Sequence, residues 1–255
     1  MKFGSVTDGY GAAITGGGSA GSYNPADAST KFWYKNNDAS GPLVNSISGA
    51  ASPLIITGTP ILQDPNLFAH GTNAVRWMRE SGSAEVALAT GVTLDPSVAV
   101  ALEVVVCRED YTFSGVHFIA EIANAARGEI IAIALDSGQG VYAQYQGITG
   151  GTVTAYSATA WFPTWLRNKC HIMATWSAAS NLIKLYFNGI LIGSTATSGA
   201  LSNWGTTAQI AQGNVTNGTA RVYGFAGLIA DQRVSTGTVL GTTYARAATK
   251  AMGAL

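Results

Sequence analysis

Charge is what this sequence has least of. Of 255 residues, 14 are Lys or Arg and 14 are Asp or Glu, so 11% are charged and the formal net charge is zero; about 25% is usual. A nucleic-acid binder neutralises phosphates with clustered cations, and a balanced chain with a pI of 6.8 has no such field. Cysteine is nearly absent: Cys107 and Cys170 lie far apart and outside any CxxC spacing, which excludes zinc and redox motifs. Both stand in apolar, strand-like surroundings and are expected as buried thiols; a bridge between neighbouring strands is the alternative, disfavoured by synthesis in a reducing cytoplasm. No apolar run approaches the roughly 18 residues of a membrane span, and no signal-peptide pattern follows Met1, so a soluble protein made in a host cytoplasm is expected, with no membrane insertion.

Small residues are abundant instead. Glycine numbers 31, well above the usual share of about 7%, and Ala, Ser and Thr crowd the chain. The 47% of hydrophobic residues suffices for a real core. Low charge at zero net charge removes the repulsion that keeps copies apart, so a homo-oligomer, a trimer for example, or a standing partner is expected.

Three regions follow from composition. Residues 1–29 are punctuated by Gly9, Gly11, Gly16, Gly17, Gly18 and Gly21, with Phe3, Tyr10, Ile14 and Tyr23 as the few anchors. Such a stretch cannot offset its ordering entropy alone, so it reads as an extended arm held by a neighbour's groove or sheet edge. Residues 30–241 carry short runs rich in Val, Ile, Tyr and Phe between Gly, Asn, Asp and Ser: 74–78, 98–107, 117–122, 130–135, 141–145, 171–176, 182–187, 209–212 and 225–233. This spacing predicts an all-β antiparallel sandwich. In 242–255, a tail, Tyr244, Ala245, Ala247, Ala248 and Met252 fit one short C-terminal helix capped by Gly253. The sharpest local signal is Asn188-Gly189 between two apolar runs, the pair best suited to the two positive φ angles of a type I′ hairpin.

A longer pattern joins these runs. His171-Ile172-Met173-Ala174-Thr175-Trp176, then Ile183 to Gly189, then Ile192-Gly193-Ser194, then Phe225-Ala226-Gly227-Leu228-Ile229-Ala230-Asp231-Gln232-Arg233-Val234 resembles the concanavalin A-like lectin/glucanase superfamily, in its laminin-G-like form. Phe32-Trp33-Tyr34, Asn73 to Trp77 and Leu94-Asp95-Pro96 with Ala101 to Val106 resemble its earlier strands more weakly. The resemblance spans residues 30–240 and implies a jelly roll of two sheets, with a concave face that glycan-binding members use; it speaks to fold more than to function.

Chemistry is sparse. Glucan-hydrolysing members carry a Glu-x-Asp-x-x-Glu strand, which has no counterpart here. Glycoside hydrolysis needs two facing carboxyls, whereas Glu109 and Asp110 are adjacent and so point to opposite faces, and Glu121 and Glu129 are separated. The histidines are His70, His117 and His171. His171 is expected to be structural and His117 to point outward, and no Gly-x-Ser-x-Gly elbow appears. Gly16-Gly17-Gly18 lacks the Lys-Ser/Thr of a phosphate loop. Asp136, Asn214 and Asp231 are weak calcium candidates without loop spacing; otherwise no cofactor is expected. Trp161, Trp165 and Trp204 fall in predicted loops, where rings stack on sugars or simply pack.

These readings predict a non-enzymatic protein. The first expectation is a virion structural protein at the virion surface, a bacteriophage capsid decoration or cement protein that assembles through its arm onto the major capsid protein or another virion protein. The alternative is a glycan-binding module of a phage tail or fibre, or a free lectin-like protein whose partner is a surface glycan.

Overall fold

The computed structural model describes residues 29–36, 40–47, 49–58, 60–64, 74–77, 85–108, 115–136, 140–156, 169–215 and 224–241. The arm anchors Phe3, Tyr10, Ile14 and Tyr23, the C-terminal helix, His70, Glu109, Asp110, Trp161 and Trp165 lie outside these residues. Among the described residues every regular element is a strand: β1 (Thr30–Tyr34), β2 (Leu43–Asn45), β3 (Gly49–Thr57), β4 (Ile61–Asp64), β5 (Ala74–Trp77), β6 (Val86–Leu94), β7 (Ala99–Arg108), β8 (Val116–Ala123), β9 (Ile130–Asp136), β10 (Gly140–Gln146), β11 (Thr152–Tyr156), β12 (Lys169–Ser177), β13 (Leu182–Phe187), β14 (Ile190–Ala196), β15 (Gly205–Gln212) and β16 (Gly227–Thr236).

All ladders between these strands are antiparallel, and they form two sheets. Sheet A runs β2-β1-β16-β7-β12-β13-β14, with β5 also beside β16 and β4 beside β5; sheet B runs β11-β10-β9-β8-β15-β6-β3. Strand β3 belongs to both, pairing β2 through Leu43↔Leu54 and then β6 through Ile55↔Leu88 to Thr57↔Val86. The protein is thus an all-β jelly roll.

Period-two alternation decides which side chains meet between the sheets. On β7, Val100, Leu102, Val104 and Val106 face the main core, as do Cys170, Ile172, Ala174 and Trp176 on β12; from sheet B come Ile119, Ile122, Ile131, Ile133, Ala143, Tyr145 and Ile210. Each buried aliphatic side chain of this kind contributes about 1.5–3 kcal/mol. The opposite faces of β7 and β12 are covered as well, by small apolar clusters such as Ala101, Met173, Tyr186 and Leu240, so all ten residues of β7 are buried. Cys107 belongs to one of these outer clusters and Cys170 to the core between the sheets; both are free thiols, and burial raises the Cys170 thiol well above its ordinary range. The β13–β14 hairpin has the expected turn, with φ of 46° at Asn188 and 76° at Gly189.

Candidate functional site

Polar side chains gather in four places. On the outer face of sheet A, Arg233 of β16 donates through Nε and Nη2 to Glu103 Oε1 of β7 at 3.0 and 2.6 Å, and His171 Nε2 of β12 lies 3.3 Å from Glu103 Oε2. All three are at most 2% exposed. A buried carboxylate shared in this way pins three adjacent strands together, which gives His171 its structural role. Beside it, Trp33 Nε1 donates to Asp231 Oδ1 at 3.0 Å, and the Lys35 ammonium sits 4.1 Å above the Trp33 ring. Burial pushes the Asp231 carboxyl up to about 6, opposed by the Trp33 hydrogen bond and the charges of Lys169, Lys35 and His171. Burial likewise lowers the Lys169 amine, opposed by Asp231.

Between the sheets, an amide chain crosses the core. Asn36 Nδ2 donates to Gln212 Oε1 and to the Ile229 carbonyl, Gln212 Nε2 to Gln232 Oε1, and Gln232 Nε2 to the Ala211 carbonyl, at 2.9–3.1 Å. These three amides are fully buried, and they bond β15 of sheet B to β16 of sheet A.

The outer face of sheet B is different. Its registers align Thr152, Gln146, Ile130, Ala123, Gln209 and Thr90 in one row across β11, β10, β9, β8, β15 and β6, and Thr154, Gln144, Ala132, Glu121, Ala211 and Leu88 in the next. Residues 143, 145, 208 and 210 point into the core, so Gln144, Gln146 and Gln209 point away from it, and these three are partly exposed. Arg127, in the β8–β9 turn, reaches back to Glu121 with Nε at 2.9 Å from Oε1 and Nη2 at 2.7 Å from Oε2. Amides and hydroxyls occupy the partly exposed margins of this face, while its middle, with Ala123, Ile130 and Ala132, is buried in an apolar cluster with Phe118, Tyr142 and Val215.

At the end of the sandwich that carries the β8–β9 turn, Glu129 accepts from Ser202 N and Oγ at 2.6 Å each, from Trp204 Nε1 at 3.1 Å and from Asn124 Nδ2 at 3.2 Å. A cleft of about 440 Å³ opens nearby where the sheets part, lined by Lys31, Phe32, Ser52, Thr93, Asp95 and Thr236. Asp95 is held rigidly: its Oδ1 accepts from Ser97 N and Oγ at 3.1 and 2.6 Å, and its Oδ2 from Asn203 Nδ2 at 3.1 Å.

Several expectations change against this geometry. Trp204 is 4% exposed and spends its indole N–H on Glu129; it is a core residue and offers no ring face to a sugar. His117 points inward rather than out, 2% exposed, with Nδ1 2.7 Å from the Gly224 carbonyl. A register shift between Phe118 and Ala120 breaks the alternation on which the outward reading relied. The calcium candidates are dispersed, since Asp231 pairs with Trp33 on sheet A while Asp136 ends β9 of sheet B and Asn214 follows β15, where its Oδ1 accepts from Val215 N. Among the described residues no group of three His, Cys, Asp or Glu is placed to hold a metal ion. Glu121 and Glu129 are engaged by different partners, Arg127 and the Ser202–Trp204 segment. The Asn36–Gln212–Gln232 chain and the cleft had no sequence signal, because each unites segments of distant parts of the chain.

Two antiparallel sheets exchanging a strand define a lectin-type jelly roll. Residues 80–241 match the laminin G profile of the concanavalin A-like lectin/glucanases superfamily, and the chain belongs to that superfamily. No curated protein sequence matches the chain. Among solved structures, the binding domain of botulinum neurotoxin serotype D is similar at a TM-score of 0.64 and 12% identity, over 89% of this chain and 53% of that one. The botulinum neurotoxin DC binding domain in complex with SialylT gives 0.64 and 10%, over 90% and 52%. A type C neurotoxin structure, whose cell entry is described as dependent on two ganglioside molecules, gives 0.63 and 9%, over 88% and 51%. The chain spans about half the length of these structures, and at such identity the likeness is one of fold.

Proposed function

We propose that this protein is a non-enzymatic, lectin-type module that binds carbohydrate. The observation that carries the reading is the set of exposed or partly exposed amides and hydroxyls, Thr90, Gln144, Gln146, Thr152, Thr154 and Gln209, that flank the buried middle of the outer face of sheet B. Amides and hydroxyls donate and accept at once, which suits the hydroxyl groups of a sugar chain and gives neither a charged nor an apolar partner a strong hold. The superfamily, the SialylT complex of one structural relative and the ganglioside dependence described for another support the reading. Among the described residues Glu103, Glu121 and Glu129 each engage separate partners, so the reading assigns hydrolysis, which needs two carboxyls facing one bond, to none of these three.

A glycan array tests it. Wild-type protein should be retained on at least one glycan class, and Gln144→Ala with Gln209→Ala should abolish retention while leaving the unfolding midpoint within about 3 °C, as expected for surface changes. No retention on any glycan overturns the reading. The virion-surface role, expected from the resemblance, the small-residue composition and the arm, gains no support: the arm lies outside the described residues and the solved structures above are toxin binding domains. Co-sedimentation with virus particles stripped of surface proteins decides that role separately.

A further inference from the structure

The cleft between the parted sheets is a site in its own right. Strand β3 follows β6 only from Val86 to Leu88 before turning to β2. The end of β6, from Thr90 to Leu94, therefore has no strand partner on the β3 side among the described residues, and it keeps β15 on the other. The gap so formed is the cleft of about 440 Å³, within the volume range of small-molecule sites.

Its lining is mixed in a way that selects a ligand class. Thr93 near the end of β6, Asp95 just beyond it, Lys31, Ser52 and Thr236 bring hydroxyls and one charge of each sign, while Phe32, 5% exposed, keeps its ring in the core. Asp95 is exposed, yet its three hydrogen bonds to Ser97 and Asn203 fix the carboxylate in one orientation. Oδ2 accepts from Asn203 alone among these, which leaves it capacity for a further donor. A fixed carboxylate loses little entropy on accepting a ligand hydroxyl. Threonine and serine hydroxyls beside such a carboxylate, with Lys31 balancing its charge, match the rim of O–H donors and acceptors of a neutral pyranose ring.

We propose that this cleft binds one neutral hexopyranose, the terminal ring of a glycan whose remainder runs from β6 onto the outer face of sheet B, with Asp95 and Thr93 accepting its hydroxyls. The proposal rests on the lectin reading above and adds the position and size of the sugar it takes.

The probes are the methyl glycosides of glucose, galactose, mannose and N-acetylglucosamine, titrated into the whole chain with backbone amide NMR shifts as the readout. One of them should shift Lys31, Thr93 and Asp95, and Thr93→Val and Asp95→Asn should each weaken it by about tenfold or more, the usual loss for a charge-assisted or buried hydrogen bond. Both variants keep the side-chain volume, and an unchanged amide spectrum elsewhere shows that the fold is intact. Retention on the glycan array with no response to any methyl glycoside, or with shifts confined to Gln144 and Gln209, overturns the cleft and leaves the lectin reading standing. No response to any glycoside and no array retention overturns both.

Discussion

The Asp231 carboxyl is surrounded by cations and still holds its proton more tightly than it would in water. Loss of hydration outweighs the Trp33 hydrogen bond and the nearby Lys169, Lys35 and His171, leaving it up at about 6 against an ordinary 3.8. The folded chain therefore binds this proton more strongly than the unfolded chain does. Its contribution to stability is full below about pH 4, is lost as pH rises from about 4 to 6, and is absent above. Asp231→Asn keeps an oxygen that accepts from Trp33 and removes the charge. The variant should match wild type near pH 4 and exceed it by about 1–2 kcal/mol at pH 7, after allowance for solvent screening of a partly exposed group. Urea unfolding at both pH values checks this; an equal difference at the two would rule out the titration. The sequence marked Asp231 as a position of the family-like strand and as a weak calcium candidate, and its raised carboxyl was not legible because the Trp33 N–H beside it comes from a strand 198 positions away. Trp204 shows the same limit: its position in a loop was legible, and the Glu129 acceptor that draws its indole inward was not.

At the scale of elements, the β13–β14 hairpin is where local sequence had most authority. Both turn residues have positive φ, and Asn188 also accepts from His171 N at 2.8 Å and donates its own N–H to the His171 carbonyl. The turn thus fixes the register of β12 as well as its own two strands. Replacing Asn188 and Gly189 with alanines should cost about 2–4 kcal/mol, from two strained left-handed residues and one lost hydrogen bond. A denaturant midpoint unchanged within error would show that another turn type serves equally well. Strands β7, β9, β12 and β13 were equally readable, since Val, Ile and aromatic residues recur there between clear turn signals. Strand β3 was not: Pro53 interrupts it, and it changes partner midway from β2 to β6, so no single alternation describes it. Strand β2 has three residues, too few for a period. The cleft depends on that change of partner, so it could emerge only once the strands were placed.

The molecule as a whole combines a well-filled interior with a surface short of charge. Among the described residues Val98, Ile148 and Val239 are each more than half exposed, and the 14 cations and 14 anions of the chain cancel. Between about pH 6.5 and 9 the side chains of ordinary pKa that titrate are chiefly histidine and cysteine. The chain has three histidines and two cysteines against 14 Lys or Arg and 14 Asp or Glu. Net charge should stay near zero across that window, so repulsion between copies is weak throughout and apolar contacts are left unopposed. Near pH 4.5 part of the carboxylates protonate while Lys and Arg remain charged, and the molecule becomes distinctly positive. Static light scattering in low salt should give a second virial coefficient near or below zero from pH 6.5 to 9 and a positive one near pH 4.5, with the acid value falling when salt screens the charge. Strong repulsion at neutral pH would mean that the surface charges are segregated rather than balanced. A fixed oligomer mass at all these pH values would instead place association in a specific interface, independent of the missing charge.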